Sequence, residues 1–367
     1  MKTMIKIGNQ ALTVVALCAL ATVSCDRNHD NLDINPIQVP ETYAFENVDY
    51  SGQTERQDQL DRMMSYIEQA NEPGQEIDLE VLRNMFENKG GNGGGQFNFS
   101  SSKQLKDKFY EPDLEEMDAY FQTIAEISKS SATAQNGVAG RIKNPEGDGY
   151  RLFDANGFEY AELIEKRIMG GVFYYQATSV YLSGEKMNVD NENVEPGKGT
   201  EMQHHWDEAY GYLGASDDFP VDRENVRYWS KYAVSRDALI GSAQGISEPF
   251  RLGRAAIVAG NYEMRDAAIG QIRSEWEKLC AANAIHYLNA AISHLSNDYA
   301  RNHELSEAVA FIENLFYNQA RSFSRGEIDE ILMLIGDNFY EVRQADLELA
   351  RDRISSIAGL DAVKNQL

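Results

Sequence analysis

An all-α fold is what this sequence predicts, on three observations. Apolar residues recur at helical spacing along nearly the whole chain, capping signals open several of those stretches, and no convincing strand exceeds four residues.

The first residues do not belong to that body. A short basic start (Met1 to Lys6) is followed by an apolar stretch through Leu12, Val15, Leu17 and Leu20, too brief to span a membrane as a helix, and then Thr22-Val-Ser-Cys25. This order predicts an export signal over residues 1–24, with Cys25 the lipidated first residue of the mature chain. Ser24 fits the position before the cysteine, and Thr22 stands where leucine is usual. Residues 25–42 hold Asn, Asp and two prolines without apolar periodicity, which predicts a tether, with order beginning near Tyr43.

Helices are predicted next over 54–70, with Leu60, Met63, Met64 and Ile67 on one face, and over 77–88. The run Lys89-Gly-Gly-Asn-Gly-Gly-Gly-Gln96 is too rich in glycine for regular structure and lacks the Gly-Lys-Ser/Thr ending of a phosphate-binding loop, so it predicts a surface loop. A helix over 113–130 follows. Asn156 with Glu159 reads as a capping box opening a long helix to residue 182, and Thr200 with Gln203 opens another. Further helices are predicted over 225–243, from Glu248-Pro249 to 260, over 262–295 and 303–322, from a Ser324/Glu327 box, and over 339–357.

Composition bounds the function. With 34 Lys+Arg against 58 Asp+Glu the formal net charge is −24, which disfavours nucleic acid and anionic lipid headgroups and is compatible with cations. Of three cysteines only Cys280 lies in the body, so no intrachain disulfide is available there, and Leu279-Cys-Ala-Ala reads as a buried thiol. Phe173-Tyr-Tyr175 reads as bundle core. His286 and His294, two turns apart on one long helix, read as packed or surface residues.

An internal echo is the most informative pattern. His204-His-Trp-Asp-Glu-Ala-Tyr-Gly-Tyr-Leu213 aligns without a gap on His303-Glu-Leu-Ser-Glu-Ala-Val-Ala-Phe-Ile312, and each block follows a long apolar helix. Two related units, 43–220 and 221–360, packed as two helical bundles, are therefore expected. On a helix Glu208 shares a face with His205 and His204, and imidazole beside carboxylate is a metal-ligand pattern. The first turns of a helix also favour neutral imidazole, the form that coordinates metal. His303 and Glu307 complete such a site if the two units face each other. The alternative is a histidine hydrogen-bonded to a glutamate merely to satisfy both groups in packing. Glu208 has no second histidine downstream as zinc proteases do, and the paired Glu-x-x-His of di-iron bundles is reversed here.

Tyr43-Ala-Phe-Glu-Asn-Val-Asp-Tyr-Ser-Gly-Gln-Thr-Glu-Arg56, Gly170-Gly-Val-Phe-Tyr-Tyr-Gln176 and the His204 block together resemble bacterial lipoproteins of domain-of-unknown-function family 4856, from about residue 43 to 360. That family looks like a distant relative of imelysin-like proteins, with two helical bundles, a Gly-x-His-x-x-Glu motif and a link to iron uptake. Carried over, the motif's histidine is His205 and its glutamate Glu208, while Gln203 stands where the motif has glycine. The resemblance implies a lipid-anchored helical binding protein at the outer membrane, on its periplasmic or surface side, holding a divalent metal, iron or a metal-bearing ligand. A metallopeptidase-like enzyme using the same residues, and a structural lipoprotein with no small-molecule site, are the alternatives.

Overall fold

Helix α1 (Ser51–Ile67) turns Leu60, Met63, Met64 and Ile67 inward, as their spacing requires, in a computed structural model that describes residues 37–367. The predicted signal, Cys25 and most of the tether lie outside the described residues. Order is already present at Pro40, whose carbonyl accepts from Arg251 (2.7 Å), and Tyr43 is fully buried. The body is predominantly α-helical, with twelve α-helices among the described residues and one hydrophobic core running through them. Among the described residues the strands amount to a single hairpin, β1 (Gly140–Lys143) against β2 (Tyr150–Phe153).

Helices α2 (Leu79–Phe86) and α3 (Leu114–Ile127) follow, α2 capped by the Asp78 carboxylate. The glycine run between them is a pair of short 3-10 turns with Gly90 and Gly94 at positive φ, pinned where the Asn88 side chain accepts from the Gly93 N–H (2.9 Å). Helix α4 (Tyr160–Ile168) continues without a break through two π-helical stretches, Met169–Tyr174 and Gln176–Tyr181. Wide π turns disturb the regular ladder, and neighbours take up carbonyls there. The Met169 carbonyl accepts from the Trp229 indole (3.0 Å), that of Gly171 from the Tyr110 N–H (2.9 Å), and that of Thr178 from Arg273 (2.8 Å). Gly170 is needed for closeness: a Cβ there would lie 1.9 Å from Asn314 Oδ1.

After a four-residue helix α5 (Gly184–Met187) come α6 (Glu201–Gly211), α7 (Tyr228–Ile240), α8 (Ser242–Val258), α9 (Tyr262–Ser293), α10 (Asp298–Asn314), α11 (Arg325–Ile335) and α12 (Gln344–Ala358). Both the Thr200/Gln203 and Ser324/Glu327 capping boxes form. The 32-residue α9 is the axis against which α8, α10 and α12 pack. Phe173 and Tyr174 are fully buried, as is Cys280, whose Sγ lies 3.2 Å from the Phe311 carbonyl.

Three starts differ from expectation. Pro249 is inside α8 rather than at its beginning, and α10 starts at Asp298, capped by Asn297, five residues before His303. The Asn156/Glu159 capping box does not form: Asn156 sits in a turn closed by the Asp154 carboxylate, and Glu159 occupies the cap position itself, with its side chain engaged elsewhere. No helix among the described residues is long and apolar enough to cross a membrane.

Candidate metal centre

The turn that launches α4 is fastened to α10. Gly157, at φ +93°, lets that turn approach Asn302, since a Cβ would lie 2.6 Å from the Asn302 amide nitrogen. One residue on, the Phe158 ring packs tilted against Phe339 (4.1 Å between ring centres), and the Glu159 N–H donates to the Ser306 hydroxyl (2.8 Å). The Glu159 carboxylate is thereby held against α10, where its Oε2 lies 2.8 Å from His303 Nδ1. Glu162, three residues on and so on the same face of α4, places Oε1 3.8 Å from the same nitrogen.

Glu159, Glu162 and His303 each offer a ligand atom, all within 4.8 Å of one another, and no other trio of such groups converges this way among the described residues. Two carboxylates and an imidazole at that spacing can coordinate a metal ion. Glu307, one turn beyond His303 on α10, is also buried, and its Oε2 has no hydrogen-bond partner. Around them Lys166 reaches Glu162 (2.8 Å), Glu165 and Glu307 (3.3 Å), and Arg151 stands 3.7 Å from Glu159.

The charges of this cluster do not balance by themselves. Four carboxyl groups (Glu159, Glu162, Glu165 and Glu307) face two basic side chains (Lys166 and Arg151), a surplus of two acidic groups in a largely buried place. Without a metal the excess is taken up by protons. Burial opposes a charge on His303, but the Glu159 hydrogen bond and the neighbouring carboxylates outweigh it and hold the imidazolium to about 9. Burial pushes Glu307 up to about 8 despite Lys166. Burial would raise Glu162 too, yet Lys166 and His303 prevail and keep it ionised down to about 2. A divalent cation can replace both protons, so the donor set fits one.

The structure does not bring the five predicted ligands together. His205 Nδ1 lies 3.2 Å from Glu208 Oε2 on α6, and Gln53 donates to the other carboxylate oxygen (3.2 Å). The His205 ring lies 6.0 Å from that of Tyr181, tilted against it, at the far end of the rod 160–181 that begins beside Glu159 and His303. The nine α-helical residues of that rod alone span about 14 Å at about 1.5 Å per residue and the π stretches lengthen it further, so His303 and Glu307 cannot complete the His204–His205–Glu208 group. The echo therefore marks two places: His205 pairs with a glutamate of its own helix, His303 with glutamates of another. His286 is half-buried beside Tyr287 and Arg236, with burial lowering its pKa to about 4, and is not part of either group.

Glu159 and Glu162 escaped sequence reasoning because Glu159 resembled a capping residue and Glu162 an ordinary helix carboxylate. The available signal was Glu159-Tyr-Ala-Glu162, a pair sharing one face at the start of an otherwise apolar helix.

A family model described as Domain of unknown function (DUF4856) matches residues 40–359. No curated protein and no solved structure matches the chain.

Proposed function

The chain belongs to that domain-of-unknown-function family, and on the premise that its family name assigns no chemistry, we propose from the geometry that it is a metal-binding protein whose cation sits among Glu159, Glu162 and His303. The convergence of those three ligand atoms within 4.8 Å, in a cluster short of positive charge, carries the reading. Mixed imidazole and carboxylate donors suit zinc, manganese or ferrous iron better than a soft thiolate-seeking ion. Glu307 would serve as a fourth donor, and Lys166 and Arg151 would orient the carboxylates.

Elemental analysis tests this. Wild type purified from zinc- and iron-supplemented medium should retain close to one equivalent after dialysis, His303→Ala should lose it, and His205→Ala should keep it. Metal-free wild type, or loss confined to His205→Ala, would overturn the assignment in favour of no site or of the α6 group. The likeness to imelysin-like proteins supports that α6 group as the rival, and with it the peptidase-like alternative. There, however, only His205 and Glu208 converge directly, with Glu201 3.7 Å from His205 Nε2.

We further propose that the protein is exported and lipid-anchored through Cys25 at the outer membrane, delivering or retaining metal there, and that its body derives from two related units, 43–220 and 221–360. The signal pattern before Cys25 and the His204/His303 echo support these two readings respectively. Cells grown with labelled palmitate should yield labelled wild-type protein and unlabelled Cys25→Ser; label persisting in the variant, or missing from wild type, would remove the anchor.

A further inference from the structure

A cavity of about 410 Å³ opens between the start of α1, the segment 102–108 and α6, at the Tyr181 end of the long rod. Every residue lining it is polar, aromatic with a hydroxyl, or glycine, unlike the mainly apolar walls of most small-molecule pockets. Its ligand is therefore hydrophilic.

The lining charges are unevenly satisfied. Of the acids, Asp107 faces Arg56 (3.5 Å), Glu208 is held by His205 and Gln53, and Asp49 accepts from the Ser51 N–H (3.0 Å). Lys198 is paired with Glu195 (2.7 Å). Lys103 and Lys108 have no carboxylate within ion-pair distance among the described residues, although the chain carries 58 acidic residues to 34 basic ones and eight of the twelve lysines among the described residues find one. Lys108 is half-buried, its ammonium 5.6 Å from the Tyr181 ring centre. A half-buried unpaired ammonium is costly to keep, and an anion beside it offsets that cost. Arg56, nearly fully buried, is fixed at the base of the cavity by the Gln104 carbonyl (2.7 Å) and the Gly52 carbonyl (3.1 Å). His204 Nδ1 is buried with no partner on the same wall.

We propose that this cavity binds a small polyhydroxylated ligand bearing an oxyanion, a carboxylate or a phosphate, seated on Lys103, Lys108 and Arg56. Its hydroxyls meet Glu208, Ser51 and His204 on the remaining wall. The site lies at the opposite end of the rod from the metal centre and does not depend on it.

Calorimetry at low ionic strength on the full chain tests this with glucuronate, glucose 6-phosphate, inorganic phosphate and neutral glucose. Binding of glucuronate or glucose 6-phosphate is expected, the stronger of the two identifying the oxyanion. Lys108→Met should weaken it about tenfold or more, and Lys103→Met/Lys108→Met should abolish it. Both lysines are outside the core, and unchanged circular dichroism and melting of the variants verify their fold. The proposal fails if neither acid binds wild type, if glucose binds as tightly as its acids, if inorganic phosphate matches glucose 6-phosphate, or if the double variant binds like wild type. His303→Ala is expected to leave this binding intact whatever its metal content.

Discussion

Metal binding to this protein is expected to release protons and to strengthen steeply as pH rises towards 9. The cation must displace the proton on His303, held to about 9, and Glu307 must give up its own, held to about 8, to become a donor. Of the groups facing them, Lys166 stays positive because its carboxylate neighbours outweigh burial, and Glu162 stays ionised, whereas burial raises Glu159. Each displaced proton contributes about a tenfold gain in apparent affinity per pH unit below its pKa. Displacement from His303 alone gives that slope; joint displacement from Glu307 gives about a hundredfold per unit below pH 8. Titration calorimetry at pH 7 in two buffers of different ionisation enthalpy counts the protons directly. A count near two supports a four-ligand centre, a count near one the trio alone, and a count of zero would sink the site.

The same protons shape the metal-free protein. His303 has a folded pKa above its ordinary 6.5, so its contribution to stability is fully present below 6.5 and is lost as pH rises through about 9. Glu307 is likewise raised from 4.5, and its contribution fades as pH rises through about 8. Apo protein should therefore melt progressively lower from neutral to alkaline pH while the loaded form does not, because the cation has taken the place of both protons.

Helix identity was legible because burial imposes a 3.6-residue period on side chains wherever one face meets the core. Leu60, Met63, Met64 and Ile67 illustrate it, all buried on α1. Capping boxes at Thr200 and Ser324 were legible since three-residue spacing is local chemistry. Glu159 shows where local reading stops: spacing alone cannot distinguish a carboxylate that folds back on its own helix from one drawn across to His303, because the deciding partner is 144 residues away. The echo located both histidine-bearing helices but not their relation, since pairing across the fold depends on which ends of the long rod they meet. The π stretches were illegible for a similar reason, as their freed carbonyls are satisfied by Tyr110, Trp229 and Arg273 from distant parts of the chain.

Replacing Arg254 by methionine is expected to cost roughly 3–5 kcal/mol of folding stability, the effect of stranding one charge of a buried pair. Asp207, on α6, is completely buried, with Arg254 Nε 2.8 Å from its Oδ1 and the Tyr43 hydroxyl donating to the same oxygen (2.6 Å). Burial pushes Asp207 up to about 6 even with Arg254 and Tyr43 holding its charge, so for this carboxylate desolvation outweighs the attraction within the pair. The pair thus adds little net stability, yet removing one member leaves the other with nothing to offset its burial. A folded pKa raised above 3.8 means the native state binds the extra proton, so the Arg254→Met deficit should shrink as pH falls towards 5 and grow towards 8. Asp207→Asn/Arg254→Met, which leaves no buried charge, should recover much of the loss. Urea unfolding of the two variants and wild type at both pH values measures the difference. If the single variant loses under 1 kcal/mol, or the double variant is as weak as the single, then desolvation is not what governs this part of the core and the Tyr43–Asp207–Arg254 group is held by packing instead.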